Sequence, residues 1–76
     1  MAEVKLPELA SGVAKATVSF WHFNEGENVK QGDDLVEMLT DKATFNVPSP
    51  VSGTVRNIKA QEGQEVNVGE IIAIIE

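Results

Sequence analysis

In this chain of 76 residues, one amine is framed so that it could do chemistry: Lys42, within Thr40-Asp41-Lys42-Ala43. Before it runs Asp34-Leu35-Val36-Glu37-Met38-Leu39, and after it Thr44-Phe45-Asn46-Val47-Pro48. Both flanks are rich in apolar, β-branched and aromatic residues and read as strands. A hairpin follows, with Asp41 and Lys42 at its tip. Asp suits such a turn because its carboxylate can accept hydrogen bonds from nearby backbone N–H groups. A lysine on the rigid end of a sheet is accessible to a modifying enzyme, and whatever it carries is free to sweep. A turn lysine standing alone is ordinarily just a solvated charge. The rest of the chain decides whether this one is more.

Other chemistry has little to stand on. There is one histidine, His22, and no cysteine. Serine, histidine and aspartate occur at no recognisable catalytic spacing, and His22 reads as a strand-surface or rim residue. Asp33 and Asp34 read as solvated turn carboxylates, since a metal would need converging partners. We therefore expect no catalytic residue and no metal site. Without cysteine there is no disulfide framework, so a domain this small must rely on sheet packing around a thin core. Twelve acids against six bases give a formal charge of −6. That disfavours nucleic acid, whose backbone attracts Lys and Arg. It favours solubility and steering toward basic partner surfaces. No apolar run reaches membrane-spanning length, so no membrane partner is expected.

The elements that must position Lys42 are short strands. Glu3 to Pro7 alternates like an outer strand, with Pro7 closing it because it cannot donate into a ladder. Residues 8 to 15, with Ser11, Gly12 and Lys15, read as a loop. Residues 16 to 23 form a strand, with Val18, Phe20 and His22 on one face and Thr17, Ser19, Trp21 and Phe23 on the other. Turns follow at 24 to 27 and 31 to 33, separated by Val29. After the lysine hairpin, Pro48-Ser49-Pro50 bends the chain. A strand runs from Gly53 through Val55 to Ile58. Turns at 62 to 64 and 68 to 70 flank Val66. Ile71 to Ile75 is a continuous apolar run suited to full burial. Apolar residues never recur at helical spacing for more than a turn, so the chain reads as an all-β sandwich or barrel.

Shifted by 37 residues, the chain matches itself. Thr17-Val18 falls on Thr54-Val55, Glu25-Gly26 on Glu62-Gly63, Val29 on Val66, Gly32 on Gly69 and Leu35 on Ile72. Matching turn residues at one fixed offset point to a duplication. Two similar halves imply a pseudo-two-fold sandwich of two small antiparallel sheets. Leu39 aligns with Glu76, so the equivalent of the lysine turn is where the chain ends. Lys42 should occupy one pole and the termini the other. The expected core is Val18, Phe20, Trp21, Val29, Leu35, Val36, Val55, Ile58, Val66, Ile72 and Ile74.

These stretches resemble the lipoyl domain carried by the dihydrolipoamide acyltransferase component of 2-oxo acid dehydrogenase complexes. The likeness covers nearly the whole chain. It takes in Val4-Lys5-Leu6-Pro7, Thr17-Val18 with Trp21, Glu25-Gly26-Glu27-Asn28-Val29 and Gly32-Asp33-Asp34-Leu35-Val36-Glu37. It continues through Thr40-Asp41-Lys42-Ala43, Val47-Pro48-Ser49-Pro50 with Gly53, Glu62-Gly63, Val66 and Val68-Gly69. Asp-Lys-Ala alone is worth little; framed by the Glu-Gly turns and the Val-Pro-Ser-Pro bend, it is specific. The resemblance implies a flattened barrel-sandwich hybrid of two four-stranded antiparallel sheets. It also implies that a lipoate ligase or lipoyl transferase joins lipoic acid to Lys42, with Asp41 and Ala43 as flanking recognition residues.

The implied chemistry belongs to the cofactor. A thiamine-diphosphate-dependent decarboxylase reductively acylates it, an acyltransferase core passes the acyl group to CoA, and dihydrolipoamide dehydrogenase reoxidises it. The domain itself is a carrier, not an enzyme, and is expected to be monomeric. Residues 1–76 are expected to be one domain cut from a longer acyltransferase chain, in the cytoplasm or a mitochondrial matrix. Absence of cysteine leaves no protein thiol to exchange with the dithiol. The alternatives are a biotin carrier, whose lysine sits between methionines, and an unmodified interaction module of the same fold. Two departures from the family bear on partners: Leu39 where Glu is common, and Ala10-Ser11-Gly12 in the first loop. Nine residues (8 to 16) lie between Pro7 and Thr17, against five (49 to 53) between Pro48 and Thr54. The longer loop should sit beside Lys42, and Glu8, Ala10, Ser11 and Gly12 are its candidate partner-recognition residues.

Overall fold

The computed structural model describes residues 1–76 and contains eight strands: β1 (Ala2–Lys5), β2 (Lys15–Trp21), β3 (Asn28–Val29), β4 (Asp34–Leu39), β5 (Thr44–Pro48), β6 (Gly53–Ile58), β7 (Glu65–Asn67) and β8 (Ile71–Ile75). They form two four-stranded antiparallel sheets, ordered β1-β8-β6-β3 and β5-β4-β2-β7. Each half of the chain gives two strands to each sheet. The 37-residue offset carries β2 onto β6, β3 onto β7 and β4 onto β8. The inner faces close on one core of Val, Leu, Ile, Met and Trp side chains. Leu35, Val36, Met38, Ile72 and Ala73 lie at its centre with no solvent exposure.

Four turns repeat one device. In Asn24-Glu25-Gly26-Glu27, Lys30-Gln31-Gly32-Asp33, Gln61-Glu62-Gly63-Gln64 and Asn67-Val68-Gly69-Glu70, the fourth N–H donates to the first carbonyl at 2.9–3.1 Å. The side chain of the fourth residue then accepts from the first N–H, at 2.6–3.2 Å. Only the third residue has positive φ, 89–93° in three turns and 94° at Gly69. That is the type II geometry, which needs glycine in that place. The pattern of Gly followed by a side-chain acceptor (Glu, Asp or Gln) thus closes each turn twice and pins the sheets at four matched points.

The expected strand faces fail at one place. β2 pairs with β4 through Val18–Met38 and then Phe20–Glu37, so Ser19 and Phe20 together oppose Glu37. This bulge inserts one residue and reverses the alternation beyond it. Trp21 turns into the core, where its indole N–H donates to the Ala60 carbonyl at 2.8 Å. Phe20, expected in the core, is instead 52% exposed. Its ring packs edge-on against His22 at 5.3 Å. Ile58 is only half-buried. Ile74 is too, because it pairs with Glu3 and Asn57 on the outer face of its sheet. The final run is therefore not uniformly buried. Val4, Leu6, Val13, Ala16, Met38, Val47, Ala60, Ala73 and Ile75 complete the core instead.

The two poles follow from the pairings. Ala2 pairs with Ile75, which puts both termini together. At the start of β4, Ser49 N–H donates to the Asp33 carbonyl at 2.8 Å, and Gln31 N–H to Ser52 Oγ at 2.9 Å. The adjacent Gly53 lies against the Glu76 backbone. β4 therefore leaves the terminal pole at Asp34 and reaches the opposite one at Leu39, where the lysine hairpin begins.

Candidate functional site

The hairpin joins β4 to β5, with Leu39 paired to Thr44. Thr40, not Asp41, fixes its turn. Thr40 N–H donates to the Ala43 carbonyl at 2.9 Å. Thr40 Oγ1 donates to the same carbonyl at 2.8 Å and accepts from Ala43 N–H at 3.0 Å and Lys42 N–H at 3.2 Å. One hydroxyl satisfies the polar backbone that a sharp reversal leaves unpaired. The Asp41 carboxylate, expected to do this, has no such bond and points its charge to solvent. Asp41, Lys42 and Ala43 are all exposed.

Residues 6–14 link β1 to β2, against 49–52 between β5 and β6, so the first loop is the longer of the pair. It contains a fifth Gly turn, Ala10-Ser11-Gly12-Val13. Val13 N–H donates to the Ala10 carbonyl at 3.1 Å, and Gly12 has a φ of 80°. Val13 is buried and anchors the turn to the core. The central carbonyl of such a turn, that of Ser11, is free to accept from outside. It accepts Lys42 Nζ at 3.0 Å. A Cβ built at Gly12 would lie 3.8 Å from the same nitrogen. Ser11 and Gly12 thus meet Lys42 as the loop-length argument expects. Glu8 is exposed and Ala10 half-buried, and neither is bonded to the hairpin.

Lys42 has no acidic partner; the ion pairs of the structure are Lys15–Glu65 at 3.5 Å and Arg56–Glu76 at 3.1 Å. No three His, Asp or Glu side chains converge to hold a metal ion. His22 is exposed, its Nε2 3.0 Å from Asn46 Oδ1. The arrangement offers an exposed primary amine on a hydrogen-bonded turn, held by one neutral acceptor.

Sequence reasoning missed two features of this site. Thr40 carries the turn; a Thr or Ser three residues before the end of a four-residue reversal is the signal that could have found it. The other is a groove of about 550 Å³ beside the hairpin, lined by Gly12, Val13, Ala14, Thr17, Leu39, Thr40 and Asp41, with the Lys15–Glu65 pair along it. Leu39 stands half-exposed in it.

Residues 2–75 match the Biotin_lipoyl family, described as "Biotin-requiring enzyme". The chain is 42% identical, over its full length, to the dihydrolipoyllysine-residue acetyltransferase component of a pyruvate dehydrogenase complex from Acholeplasma laidlawii, of which it covers 14%. Over 99% of its length it is 39% identical to the dihydrolipoyllysine-residue succinyltransferase component of a 2-oxoglutarate dehydrogenase complex from Staphylococcus saprophyticus, of which it covers 18%. It therefore spans less than a fifth of these relatives. The solution structure of the lipoyl domain of the 2-oxoglutarate dehydrogenase complex from Azotobacter vinelandii superposes with a TM-score of 0.76 at 31% identity. That match covers 97% of this chain and 94% of the other. The chain belongs to the biotin–lipoyl family, and within that family it is a lipoyl domain.

Proposed function

We propose that lipoic acid is joined as an amide to Lys42 Nζ, and that this domain carries it among the components of a 2-oxo acid dehydrogenase complex. One observation carries the assignment of the lysine: an exposed amine at a hairpin tip whose only partner is a neutral backbone carbonyl. Amide formation removes its charge, and no buried or paired carboxylate is left behind. The amide nitrogen keeps one N–H, so the bond to the Ser11 carbonyl can persist. The residues present therefore fit an amide-linked lipoyl group. When bound, that group supplies a dithiolane able to take up an acyl group and two electrons and pass both on; the protein supplies position.

Thr40 holds the turn, the Ser11 carbonyl steadies the Nζ end of the lysine side chain, and the sandwich separates Lys42 from the termini. A tether at the far pole would keep the amine's concentration high at each partner site. The parent chain would be a dihydrolipoamide acyltransferase. The partners would be a lipoate ligase or lipoyl transferase, a thiamine-diphosphate-dependent decarboxylase, the acyltransferase core and dihydrolipoamide dehydrogenase.

Lys42→Arg tests the assignment. The guanidinium keeps the charge but cannot form the lipoyl amide under the ligase. Expressed with lipoate, the variant should show no lipoyl mass and an unchanged thermal unfolding curve. A lipoyl mass on the variant would move the site to Lys5, Lys15, Lys30 or Lys59. The same intact-mass measurement on the unmutated chain separates lipoate from biotin, or from no modification.

The ligase is assigned Asp41 and Ala43 on the hairpin, and the decarboxylase the loop with Glu8, Ala10, Ser11 and Gly12. Loops on a rigid scaffold commonly carry recognition, and the second half of the chain manages with a shorter one. Cutting the first loop to its mate's length should leave lipoylation intact and slow reductive acylation. Equal loss or equal retention of both, in a folded domain, would refute this division.

A further inference from the structure

Of the groove beside the hairpin, only Gly12, Thr40 and Asp41 have a role in the reading above. It lies between the Ala10–Val13 turn and the hairpin, on the outer face of the β5-β4-β2-β7 sheet. Its floor is set by one cross-strand row: Glu65 pairs with Thr17, and Thr17 with Leu39. Leu39 is 50% exposed there, one of the few large apolar side chains the fold leaves in water. Nothing in the sandwich requires an apolar residue at that place, since Leu39 lies, like the polar Glu37, on the solvent side of β4, while Leu35, Val36 and Met38 face the core.

What could fill it is already tethered at its edge. Gly12, Thr40 and Asp41 line the groove. Lys42 follows Asp41 directly, and its Nζ leans from the hairpin toward the turn that forms the opposite wall. Neither Lys42 nor Ser11 lines the groove, but Gly12 and Asp41 beside them do, so a group carried on that nitrogen begins at the groove's edge and at high local concentration. Lipoate's short acyl chain ends in an apolar dithiolane ring, and Leu39 offers an apolar surface against it. Sulfur packs well on such surfaces because it is polarizable.

We propose that this groove, with Leu39 as its apolar wall and the Ser11 carbonyl holding the root of the arm, is a resting seat for the dithiolane carried on Lys42. The inference rests on Lys42 being lipoylated. Between visits to partner sites the ring lies against Leu39, partly withdrawn from solvent and from stray thiols. The seat is shallow and open, so a partner's active site can draw the ring out.

The test uses the lipoylated 76-residue chain, with intact mass first establishing one lipoyl group on Lys42. Nuclear Overhauser cross-peaks between the dithiolane ring protons and the Leu39 methyls are expected. The second readout is reduction of the ring by dithiothreitol. The dithiolane disulfide takes two electrons and two protons and opens to the dithiol, while dithiothreitol closes to its cyclic disulfide. Leu39→Ser removes the wall at an exposed position without adding a charge that would repel the attacking thiolate, and should keep the fold. It should speed reduction by roughly fivefold, toward the rate of free lipoamide, as expected for losing part of a leucine's apolar contact. Absent cross-peaks, or equal reduction rates in a fully lipoylated pair, overturn the seat while leaving lipoylation of Lys42 standing. Absence of the lipoyl mass from Lys42 overturns both.

Discussion

A single hydroxyl decides how stiffly Lys42 is presented. Thr40 Oγ1 takes part in three hydrogen bonds across the reversal, and the backbone of Thr40 adds a fourth. Thr40→Val keeps the shape of the side chain and removes those three bonds. Each net bond is worth about 1 kcal/mol, less where water replaces it. The turn is exposed, so the unfolding free energy should fall by only about 1 kcal/mol. The initial rate of lipoylation, followed by mass, should fall more visibly. An unchanged rate would mean the ligase does not need the ordered turn. Methionine at positions 41 and 43 asks the complementary question, whether the enzyme reads the flanking side chains. Lipoylation should drop and some biotinylation appear, because the fold already presents the amine. Unchanged lipoylation would show that position alone is read.

Among the elements, β4 and β8 are the matched centres of the two sheets. Leu35 and Ile72 are equivalent under the 37-residue offset, and neither is exposed to solvent. Replacing either by Ala should cost about 2–5 kcal/mol in a urea titration. A loss below about half a unit at both would contradict a shared core. These strands were legible because turn glycines and apolar runs repeat at one spacing. The hairpin flanks were equally plain, since Asp34–Leu39 and Thr44–Pro48 stand as read. Phe20 was not legible. Ser19 and Phe20 share one partner, and nothing in the alternation of Val18, Ser19, Phe20 and Trp21 marks a bulge in advance. Val13 and Ala60 were missed for another reason. They lie outside the strands, and loop residues enter a core through tertiary packing that no period reports. Leu39 was marked as a departure at the hairpin and left out of the expected core, but the groove it borders depends on how three strands and a loop meet, which no local pattern reports.

At the scale of the whole molecule, the halves meet where Gly53 passes the end of the chain. A Cβ there would lie 2.5 Å from the Glu76 carbonyl oxygen and 2.9 Å from Ile75 Cγ2. Thr54 and Glu76 exchange both backbone hydrogen bonds beside it, at 3.0 and 2.9 Å. Gly53→Ala must push β8 away from β6, and should lower stability by about 1–3 kcal/mol, read from the denaturant midpoint. Unchanged stability would mean the terminal residue moves aside freely. The antiparallel pairing of Ala2 with Ile75 also fixes how the domain answers a pull. Force applied through both ends meets β1 and β8 at the same pole. It opens their ladder one hydrogen bond after another, as a zipper opens, instead of shearing all of them together. The edge strand β1 should therefore peel first, at low force. Pulled instead between residue 42 and Glu76, from pole to pole, the same domain should resist a markedly larger force.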